Sequence, residues 1–200
     1  MPISTVLFDL GDTACHFRPE RRLAALAAAS PVPAETIQAQ IWDSGFDADC
    51  DRGRYTADEI FRQISTWLDL RLTYEELRAI WALAWEPNEA VLAVAEALAP
   101  RVRTAMLSNN GPLLYDALPT LFPAILQRFD PCFFSCTLGA NKPDPAIFAA
   151  AQEQLAEPPE RLLLIDDSRA AVAGARAAGW QAIHFTGQPT LHEQISRLLI

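Results

Sequence analysis

The sequence predicts an α/β fold: a parallel β-sheet with helices on both faces, interrupted by an inserted bundle of helices. Two observations support this prediction. Apolar runs of strand length alternate with helical patterns in the second half of the chain, which is typical of a parallel sheet covered on both sides. The segment between the first and second apolar runs contains only helical patterns, and it is too long to be a single crossover connection.

Each predicted strand is a short apolar run bounded by polar or turn residues. The predicted strands are residues 5–8, 102–107, 132–136, 162–165 and 182–185. The helices predicted between or after them are residues 113–121, 145–155, 169–178 and 191–199. Pro143 and Pro145 favour a helix start at the second of these helices, and Gly179 fits the end of the third.

The inserted segment, from about residue 15 to residue 87, contains four helical patterns with apolar residues three or four positions apart. These patterns are residues 23–29, 34–42, 57–68 and 74–83. Thr56 precedes Glu59 by three residues, and Thr73 precedes Glu76 in the same way, which is the capping-box pattern of helix N-termini. The tryptophans expected in the core of this bundle are Trp67, Trp81 and Trp85.

The composition is that of a globular protein. Of the 200 residues, 50% are hydrophobic and 20% are charged, which is enough for one domain with an insertion or for two small domains. The net charge of −9 argues against nucleic acid or an anionic membrane as the main partner. The four cysteines form no zinc-binding pattern. No signal sequence precedes the first strand and no run could span a bilayer, so we expect a cytoplasmic protein. Its oligomeric state stays open.

Polar residues follow four successive predicted strands. Asp9 follows the first strand and Ser108 the second, while Lys142 lies beyond the third. Asp166 and Asp167 follow the fourth. Since the carboxyl ends of parallel strands meet at one sheet edge, where ligands bind, these side chains are expected to converge.

The converging residue types suit phosphoryl transfer. Two or three carboxylates at one edge suit Mg²⁺, which prefers oxygen ligands. Ser108 could donate a hydrogen bond to a phosphate, and Lys142 would supply positive charge. Asp9 is placed to act as a nucleophile that forms an aspartyl phosphate. Each residue alone has an ordinary structural explanation, as a turn residue, a helix cap or a surface lysine, so the prediction depends on the whole set.

The set resembles the four motifs of the haloacid dehalogenase superfamily of hydrolases, over nearly the whole chain. The matching segments are residues 8–13, 107–109, 142–143 and 164–168. The resemblance implies a Rossmann-like, doubly wound core formed by residues 1–14 and 88–200, with a helical cap formed by residues 15–87. It implies that Asp9 is the nucleophile and also a ligand of Mg²⁺, and that Ser108 and Lys142 hold the phosphoryl group. It implies further that Asp166 holds the metal, with Asp167 as a nearby or alternative ligand.

The chain departs from the family pattern at Gly11. Most phosphatases of this family have a second aspartate there, two residues after the nucleophile, which protonates the leaving group. Gly11 can offer its main-chain carbonyl to Mg²⁺ but cannot perform acid/base chemistry, which usually contributes roughly 10²–10⁴-fold in rate. Asp12 is a candidate replacement for the missing acid.

An Asp-Leu-Gly first motif also occurs in a branch of the family that includes sugar-phosphate phosphatases, and residues 51–56 are similar to the cap of those proteins. This resemblance implies that Trp42, Phe46 and Arg52 could face the substrate, with Asn109 as a further substrate contact. The alternative for Arg52 is a solvated loop position.

Three functions are therefore weighed. The leading one is a Mg²⁺-dependent phosphatase of a small phosphorylated metabolite, with a sugar phosphate preferred. The second is a 2-haloacid dehalogenase, which Gly11 permits but the acidic pair Asp166 and Asp167 opposes. The third is a non-catalytic protein that binds a ligand or another protein. Replacing Asp9 with asparagine separates the enzymes from the binding protein.

Overall fold

The structure is a computed structural model that describes residues 2–187 and 191–198. The strands in this part of the chain are β1 (Thr5–Phe8), β2 (Cys15–Phe17), β3 (Trp85–Pro87), β4 (Arg103–Ser108), β5 (Cys132–Phe134), β6 (Leu162–Asp166) and β7 (Gln181–His184). Five of them form a parallel sheet in the order β5-β4-β1-β6-β7, and β2 pairs with β3 in a separate antiparallel ribbon. The predicted α/β fold with a parallel sheet is confirmed.

Helices cover the sheet and fill the insert. In chain order they are α1 (Pro19–Ala29), α2 (Ala34–Gln38), α3 (Phe46–Asp51), α4 (Ala57–Trp67), α5 (Tyr74–Ala82), α6 (Glu89–Leu98), α7 (Pro112–Leu121), α8 (Pro123–Arg128), α9 (Ser135–Leu138), α10 (Pro145–Leu155), α11 (Arg169–Ala177) and α12 (Leu191–Leu198). A π-helical stretch, Ala39–Asp43, follows α2, and a short 3₁₀ turn, Pro159–Arg161, precedes β6. Within the described residues, none of these helices is both long enough and apolar enough to cross a membrane.

The sheet separates two layers of buried side chains because successive residues of a strand point to opposite faces. Val6 and Phe8 of β1 belong to one buried cluster, and Leu7 belongs to the other. The Val6 side also contains buried side chains of the insert, such as Leu26 and Ile64. The insert and one face of the sheet therefore share a continuous apolar core. The division into a core of residues 1–14 and 88–200 and a cap of residues 15–87 stays a prediction.

The strand register brings the ends of the central strands together. Phe8, the last residue of β1, lies opposite Met106 of β4 and Ile165 of β6. From β1 the chain continues to β4 and β5 on one side, and later to β6 and β7 on the other. This reversal of strand order opens a crevice at the carboxyl end of β1, where Asp9 lies.

Two helix starts in the insert were predicted correctly. At α4 the Thr56 hydroxyl accepts from the Glu59 main-chain N–H, while the Glu59 carboxylate accepts from the Thr56 N–H. The same reciprocal pair, formed by Thr73 and Glu76, begins α5. Both capping boxes satisfy main-chain donors that a helix N-terminus leaves without partners.

Some predicted elements are wrong in detail. Strand β5 ends at Phe134 rather than Cys136, because Ser135 begins α9 and its hydroxyl accepts from the Asn110 N–H at 3.0 Å. The helix predicted over residues 34–42 is α2 followed by the π-helical stretch. Trp85 is buried as expected but lies on β3, outside the helices of the bundle. The end of the helix predicted over residues 191–199 lies outside the described residues.

Candidate active site

Asp9 lies immediately after β1, at the carboxyl edge of the sheet. Its main-chain N–H donates to the Ile165 carbonyl at 2.8 Å, which fixes it beside the end of β6. The chain then turns, and the Ala14 N–H returns to the Asp9 carbonyl at 3.2 Å. The Asp9 side chain is almost buried but borders a cleft above the sheet.

Lys142 joins the ends of three strands. Its ammonium group donates to Asp9 Oδ1 at 2.6 Å, to Asp166 Oδ2 at 2.6 Å and to the Leu107 carbonyl oxygen at 2.7 Å. These three bonds use all three ammonium protons. Burial lowers the pKa of Lys142, but the Asp9 and Asp166 carboxylates outweigh it and hold this pKa above its usual value. The lysine is therefore a fixed positive charge between two carboxylates.

Burial has the opposite effect on Asp9. It raises the pKa of Asp9, the Asp166 and Asp167 carboxylates raise this pKa as well, and the net value is about 6. The charge and hydrogen bond of Lys142 oppose this increase. Ionised Asp9 therefore depends on the ammonium group next to it.

A hydrogen-bond clasp holds Lys142 in its loop. The Asn109 side-chain Nδ2 donates to the Lys142 carbonyl at 2.9 Å, and Asn109 Oδ1 accepts from the Lys142 N–H at 2.8 Å. Asn109 lines the cleft, but its amide contacts the main chain of Lys142. The sequence did not predict this positioning contact, and the predicted contact with substrate stays a prediction.

The loop after β4 also fixes Ser108. The buried Ser108 Oγ accepts from Asn110 Nδ2 at 2.8 Å, and the Asn110 N–H donates to Ser135 Oγ at 3.0 Å. Ser108 borders the cleft that contains Asp9. Asn110 and Ser135 were missed in the sequence. Asn110 could have been found, since it is a polar residue two positions after the strand-terminal serine.

Three carboxylates form a cluster that could hold a metal ion. Asp9, Asp166 and Asp167 each offer an oxygen, and these oxygens lie within 4.8 Å of one another. Asp166 Oδ1 also accepts from the Ser168 N–H at 2.8 Å. Desolvation raises the pKa of Asp167, and the Asp166 carboxylate raises it further. Close carboxylate oxygens are the donors that Mg²⁺ prefers, so the residues present fit this ion.

Gly11 and Asp12 form the turn next to the cluster. Gly11 lines the cleft beside Asp9 Oδ2, while the metal-binding role of its carbonyl stays a prediction. Asp12 is exposed, has a positive φ of 47°, and its Oδ1 accepts from the Phe17 N–H at 3.0 Å. One carboxylate oxygen of Asp12 thus closes the turn into β2, a role that the sequence did not predict. Its acid/base role stays a prediction.

One side of the cleft is aromatic. Phe17 of β2 and Trp85 of β3 border it, with ring centroids 4.7 Å apart. The cleft has a volume of about 240 Å³, enough for a small ligand. Sequence reasoning missed Phe17, and it placed Trp85 in the bundle core. Both residues reach the cleft because the β2–β3 ribbon joins the two ends of the insert.

Three residues predicted to contact the substrate are absent from the described residues that line this cleft. Trp42 stacks on Trp81 with ring centroids 6.0 Å apart. Phe46 packs edge-on against Trp67. Arg52 is exposed and pairs with Asp49 at 3.2 Å. The structure therefore does not bring these side chains together with Asp9, and their role in substrate binding stays a prediction.

The insert contacts the core beside the cleft. The Asp51 carboxylate of α3 interacts with the Gly111 N–H, at the start of α7. Gly53 follows α3 and lies against the Cys136 carbonyl of α9 so closely that a Cβ would overlap this oxygen. These contacts place the end of α3 beside the loop that carries Ser108 and Asn110.

Comparison with known proteins identifies the family. A sequence model for haloacid dehalogenase-like hydrolases matches residues 3–179. The structure of a predicted hydrolase of this family from Porphyromonas gingivalis superposes with a TM-score of 0.80 at 26% identity, covering 100% of this chain and 98% of the other. No curated protein sequence matches significantly.

Two further structures share the fold. A family enzyme from Bacteroides thetaiotaomicron, in complex with magnesium and inorganic phosphate, has a TM-score of 0.76 at 20% identity, covering 96% of this chain and 98% of the other. The L-2-haloacid dehalogenase from Xanthobacter autotrophicus, with chloropropionic acid covalently bound, has a TM-score of 0.63 at 21% identity, covering 99% and 84%. At these identities the likeness is one of fold.

Proposed function

Because the chain belongs to the haloacid dehalogenase-like hydrolase family, we propose that it is a Mg²⁺-dependent phosphatase that acts on a small phosphorylated metabolite, such as a sugar phosphate. The observation that carries this proposal is the contact of Lys142 with both Asp9 and Asp166, beside the third carboxylate of Asp167. A nucleophile, a fixed ammonium group and an oxygen-rich metal site are what phosphoryl transfer requires.

Asp9 would attack phosphorus. Its Oδ1 is held by Lys142, while Oδ2 lies on the Gly11 side of the cleft. The ammonium group keeps the carboxylate ionised although burial opposes this. Attack by Oδ2 would form an aspartyl phosphate, and water would then release phosphate and restore the carboxylate.

The groups around Asp9 would orient the phosphoryl group. Ser108 borders the cleft and can donate its hydroxyl proton to a phosphoryl oxygen, since its oxygen already accepts from Asn110. The positive charge of Lys142 would offset the charge of the arriving dianion. These fixed groups need little rearrangement during the reaction.

The metal site belongs to the same proposal. Asp9, Asp166 and Asp167 would hold Mg²⁺, with the Gly11 carbonyl as a further ligand, and the bound ion would neutralise charge on the phosphoryl oxygens. The complex of the Bacteroides thetaiotaomicron enzyme with magnesium and inorganic phosphate supports this proposal, through a shared fold.

A second candidate is dehalogenation of a 2-haloacid. The fold shared with the Xanthobacter autotrophicus dehalogenase and the glycine at position 11 favour it. In that reaction the Asp9 carboxylate would attack carbon and release halide. The cluster of Asp166 and Asp167 opposes it, because two further carboxylates would repel the carboxylate of a haloacid.

The test is phosphate release from a panel of phosphorylated metabolites and para-nitrophenyl phosphate, with Mg²⁺ and with EDTA. We expect release that requires Mg²⁺ and is abolished by Asp9→Asn. Asp43→Asn is the matched control, since Asp43 is exposed and contacts only Gln38 through its side chain in the described structure. Halide release from 2-chloropropionate, without phosphate release from any ester, would replace the phosphatase with the dehalogenase.

A further inference from the structure

The cleft has two chemically different sides. Asp9, Lys142 and Asp166 lie at the sheet edge. Phe17 and Trp85 form an aromatic wall on the β2–β3 ribbon and border the same cleft. A nucleophile at the sheet edge pushes the leaving group away from the sheet, because the attacking and leaving oxygens lie roughly in line in phosphoryl transfer. The leaving group would then lie in the cleft that the ribbon borders.

Gly11 and Trp85 line the space beside the attacking oxygen of Asp9. A Cβ placed on Gly11 would lie 3.5 Å from the Trp85 ring and 3.7 Å from Asp9 Oδ2. The indole ring thus occupies the space beside Gly11, next to the nucleophile. A proton-donating side chain at position 11 would point into this space, and the chain has only a hydrogen there.

Among the described residues that border the cleft, the acidic groups have other contacts or roles: Asp167 belongs to the carboxylate cluster that we propose holds the metal. All protons of the Lys142 ammonium group are donated to Asp9, Asp166 and the Leu107 carbonyl. Asp12 uses one carboxylate oxygen to accept from the Phe17 N–H. The aromatic wall itself offers no acid, since a phenylalanine ring has no acidic proton and an indole N–H is not a proton donor in acid catalysis.

We infer that the leaving oxygen departs without a proton, so that the substrates are phosphate monoesters whose leaving oxygen is weakly basic and is attached to a group with an apolar face. This inference rests on the proposed phosphatase function and narrows its substrate class. A phenol meets both requirements, with a ring that can pack against Phe17 and Trp85. Among sugars, the anomeric hydroxyl is a weaker base than the other hydroxyls.

The steps balance without an acid. Asp9 Oδ2 bonds to phosphorus, and the bond from phosphorus to the leaving oxygen breaks with its electron pair on that oxygen. The products are an oxyanion and an aspartyl phosphate. Water then attacks phosphorus, the bond to Asp9 breaks to restore the carboxylate, and both water protons leave with the phosphate as H₂PO₄⁻.

A series of aryl phosphates tests the inference on the wild-type protein with Mg²⁺. The value of kcat/KM reports the first half-reaction, in which the phenol departs. We expect kcat/KM to fall by roughly 10²–10⁴-fold, the range that a general acid contributes, from para-nitrophenyl phosphate to phenyl phosphate, whose phenol is less acidic. Turnover of both esters at similar kcat/KM would show that a proton is supplied, and would overturn the inference.

Sugar phosphates provide a second arm, which distinguishes the two sources of a weakly basic oxygen. Glucose 1-phosphate and glucose 6-phosphate carry the same sugar and differ in the leaving oxygen. We expect hydrolysis of the 1-phosphate to be faster if sugars are accepted, and neither to be hydrolysed if the aromatic wall accepts only aryl groups. Faster hydrolysis of the 6-phosphate would contradict the inference.

A variant of Phe17 tests whether the aromatic wall contacts the substrate. Phe17→Leu should raise KM for aryl phosphates, while Phe61→Leu should leave it unchanged. Phe61 is the matched control because it is also half-buried but packs against Tyr74 within the insert. Equal KM values in the two variants would show that Phe17 does not contact the substrate. If no ester releases phosphate under any condition, the proposed phosphatase function itself is wrong. If esters are hydrolysed but kcat/KM does not depend on the acidity of the phenol, only the inference about the leaving group is wrong.

Discussion

The Asn109 side chain holds the main chain of Lys142 from both sides, donating to its carbonyl and accepting from its N–H. Loss of this clasp should let the ammonium group move relative to Asp9. We expect Asn109→Ala to lower kcat by roughly 10²-fold, the usual effect of a displacement of about 1 Å, and to leave KM nearly unchanged. Steady-state kinetics with para-nitrophenyl phosphate measures both values.

Asn141→Ala is the control for this prediction. Asn141 precedes Lys142 in the same loop, and its side chain makes no hydrogen bond to Lys142 in the described structure. Its replacement should change kcat by less than about threefold, because it removes no hydrogen bond that positions Lys142. A rise in KM at constant kcat in Asn109→Ala would instead assign the amide to substrate binding, as the sequence suggested.

Asp51 should make stability depend on pH. Burial and, to a smaller extent, the Asp47 carboxylate raise the pKa of Asp51 to about 8, although Arg22 and the Gly111 N–H oppose the increase. The folded protein then binds this proton more tightly than the unfolded chain, so stability falls as the pH rises from about 4 to about 8. At pH 9 we expect Asp51→Asn to increase the free energy of unfolding by more than about 1.4 kcal/mol, which corresponds to one pKa unit.

Thermal or urea unfolding at pH 4 and pH 9 checks this prediction. The gain in Asp51→Asn should be absent at pH 4, where the wild-type carboxyl is protonated. Asp49→Asn is the control on the same helix, because Asp49 pairs with Arg52 and Arg54 at the surface. It should stay within about 0.5 kcal/mol of the wild type at both pH values. An equal gain at both pH values would mean that ionised Asp51 is not the cause.

The strand-terminal residues could be predicted to converge because parallel strands end at one edge. Asp9, Ser108 and Asp166 each follow an apolar run, and Lys142 could be added from its place beyond the third run. The clasp by Asn109 could not be predicted in this way. An asparagine after a strand has the same sequence signature whether its amide faces a ligand or the main chain of a loop that is distant in sequence.

The contact between α3 and α9 depends on Gly53. This residue has a φ of +72°, and a Cβ there would overlap the Cys136 carbonyl oxygen. We expect Gly53→Ala to lower the free energy of unfolding by about 1–2 kcal/mol, because alanine disfavours the left-handed conformation. The overlap with the Cys136 carbonyl should lower it by roughly another 1–3 kcal/mol. Urea unfolding measures the total loss of stability.

Gly45 is the matched control for the overlap. It precedes α3, has a φ of +84°, and has no atom within 4 Å of the Cβ position. Gly45→Ala should therefore show only the conformational loss of about 1–2 kcal/mol. Equal losses in Gly45→Ala and Gly53→Ala would show that the contact with Cys136 has no energetic importance.

The elements that the sequence missed are short or lack apolar periodicity. Strands β2 and β3 have three residues each, and they pair across the whole insert, so neither carries a pattern of its own. Helix α3 contains three aspartates among its six residues, and such a composition predicts a loop. The capping boxes of α4 and α5 were visible because their signal is local. Long-range pairing therefore explains why the aromatic wall was not foreseen.

The continuous core links the site to the stability of the molecule. The buried cluster on one face of the sheet includes Phe8 of β1, Trp85 of the ribbon and Ile64 of the insert. Asp9 follows Phe8 directly, so the carboxylate cluster is anchored in this core. A ligand that binds only when this arrangement is intact stabilises the folded state as a whole.

Mg²⁺ should therefore raise the melting temperature of the protein. Asp9, Asp166 and Asp167 repel one another at close range, and a cation bound among them would relieve this repulsion. At a Mg²⁺ concentration of 100 times Kd the gain is about 2.7 kcal/mol, a rise in Tm of roughly 5–10 °C for a chain of this length. Thermal unfolding monitored by circular dichroism measures it without any substrate.

The dependence on Asp167 makes this prediction specific to the site. Asp167→Asn removes one ligand but leaves the contacts of Lys142 with Asp9 and Asp166 in place, so its Tm should respond much less to Mg²⁺. The Tm of Asp43→Asn should rise with Mg²⁺ as much as that of the wild type, and EDTA should reverse the rise in these two proteins. A Tm that rises equally in Asp167→Asn would place the cation elsewhere. A wild-type Tm that ignores Mg²⁺ would remove the metal from the proposed mechanism and leave Lys142 as the main counter-charge to the phosphoryl group.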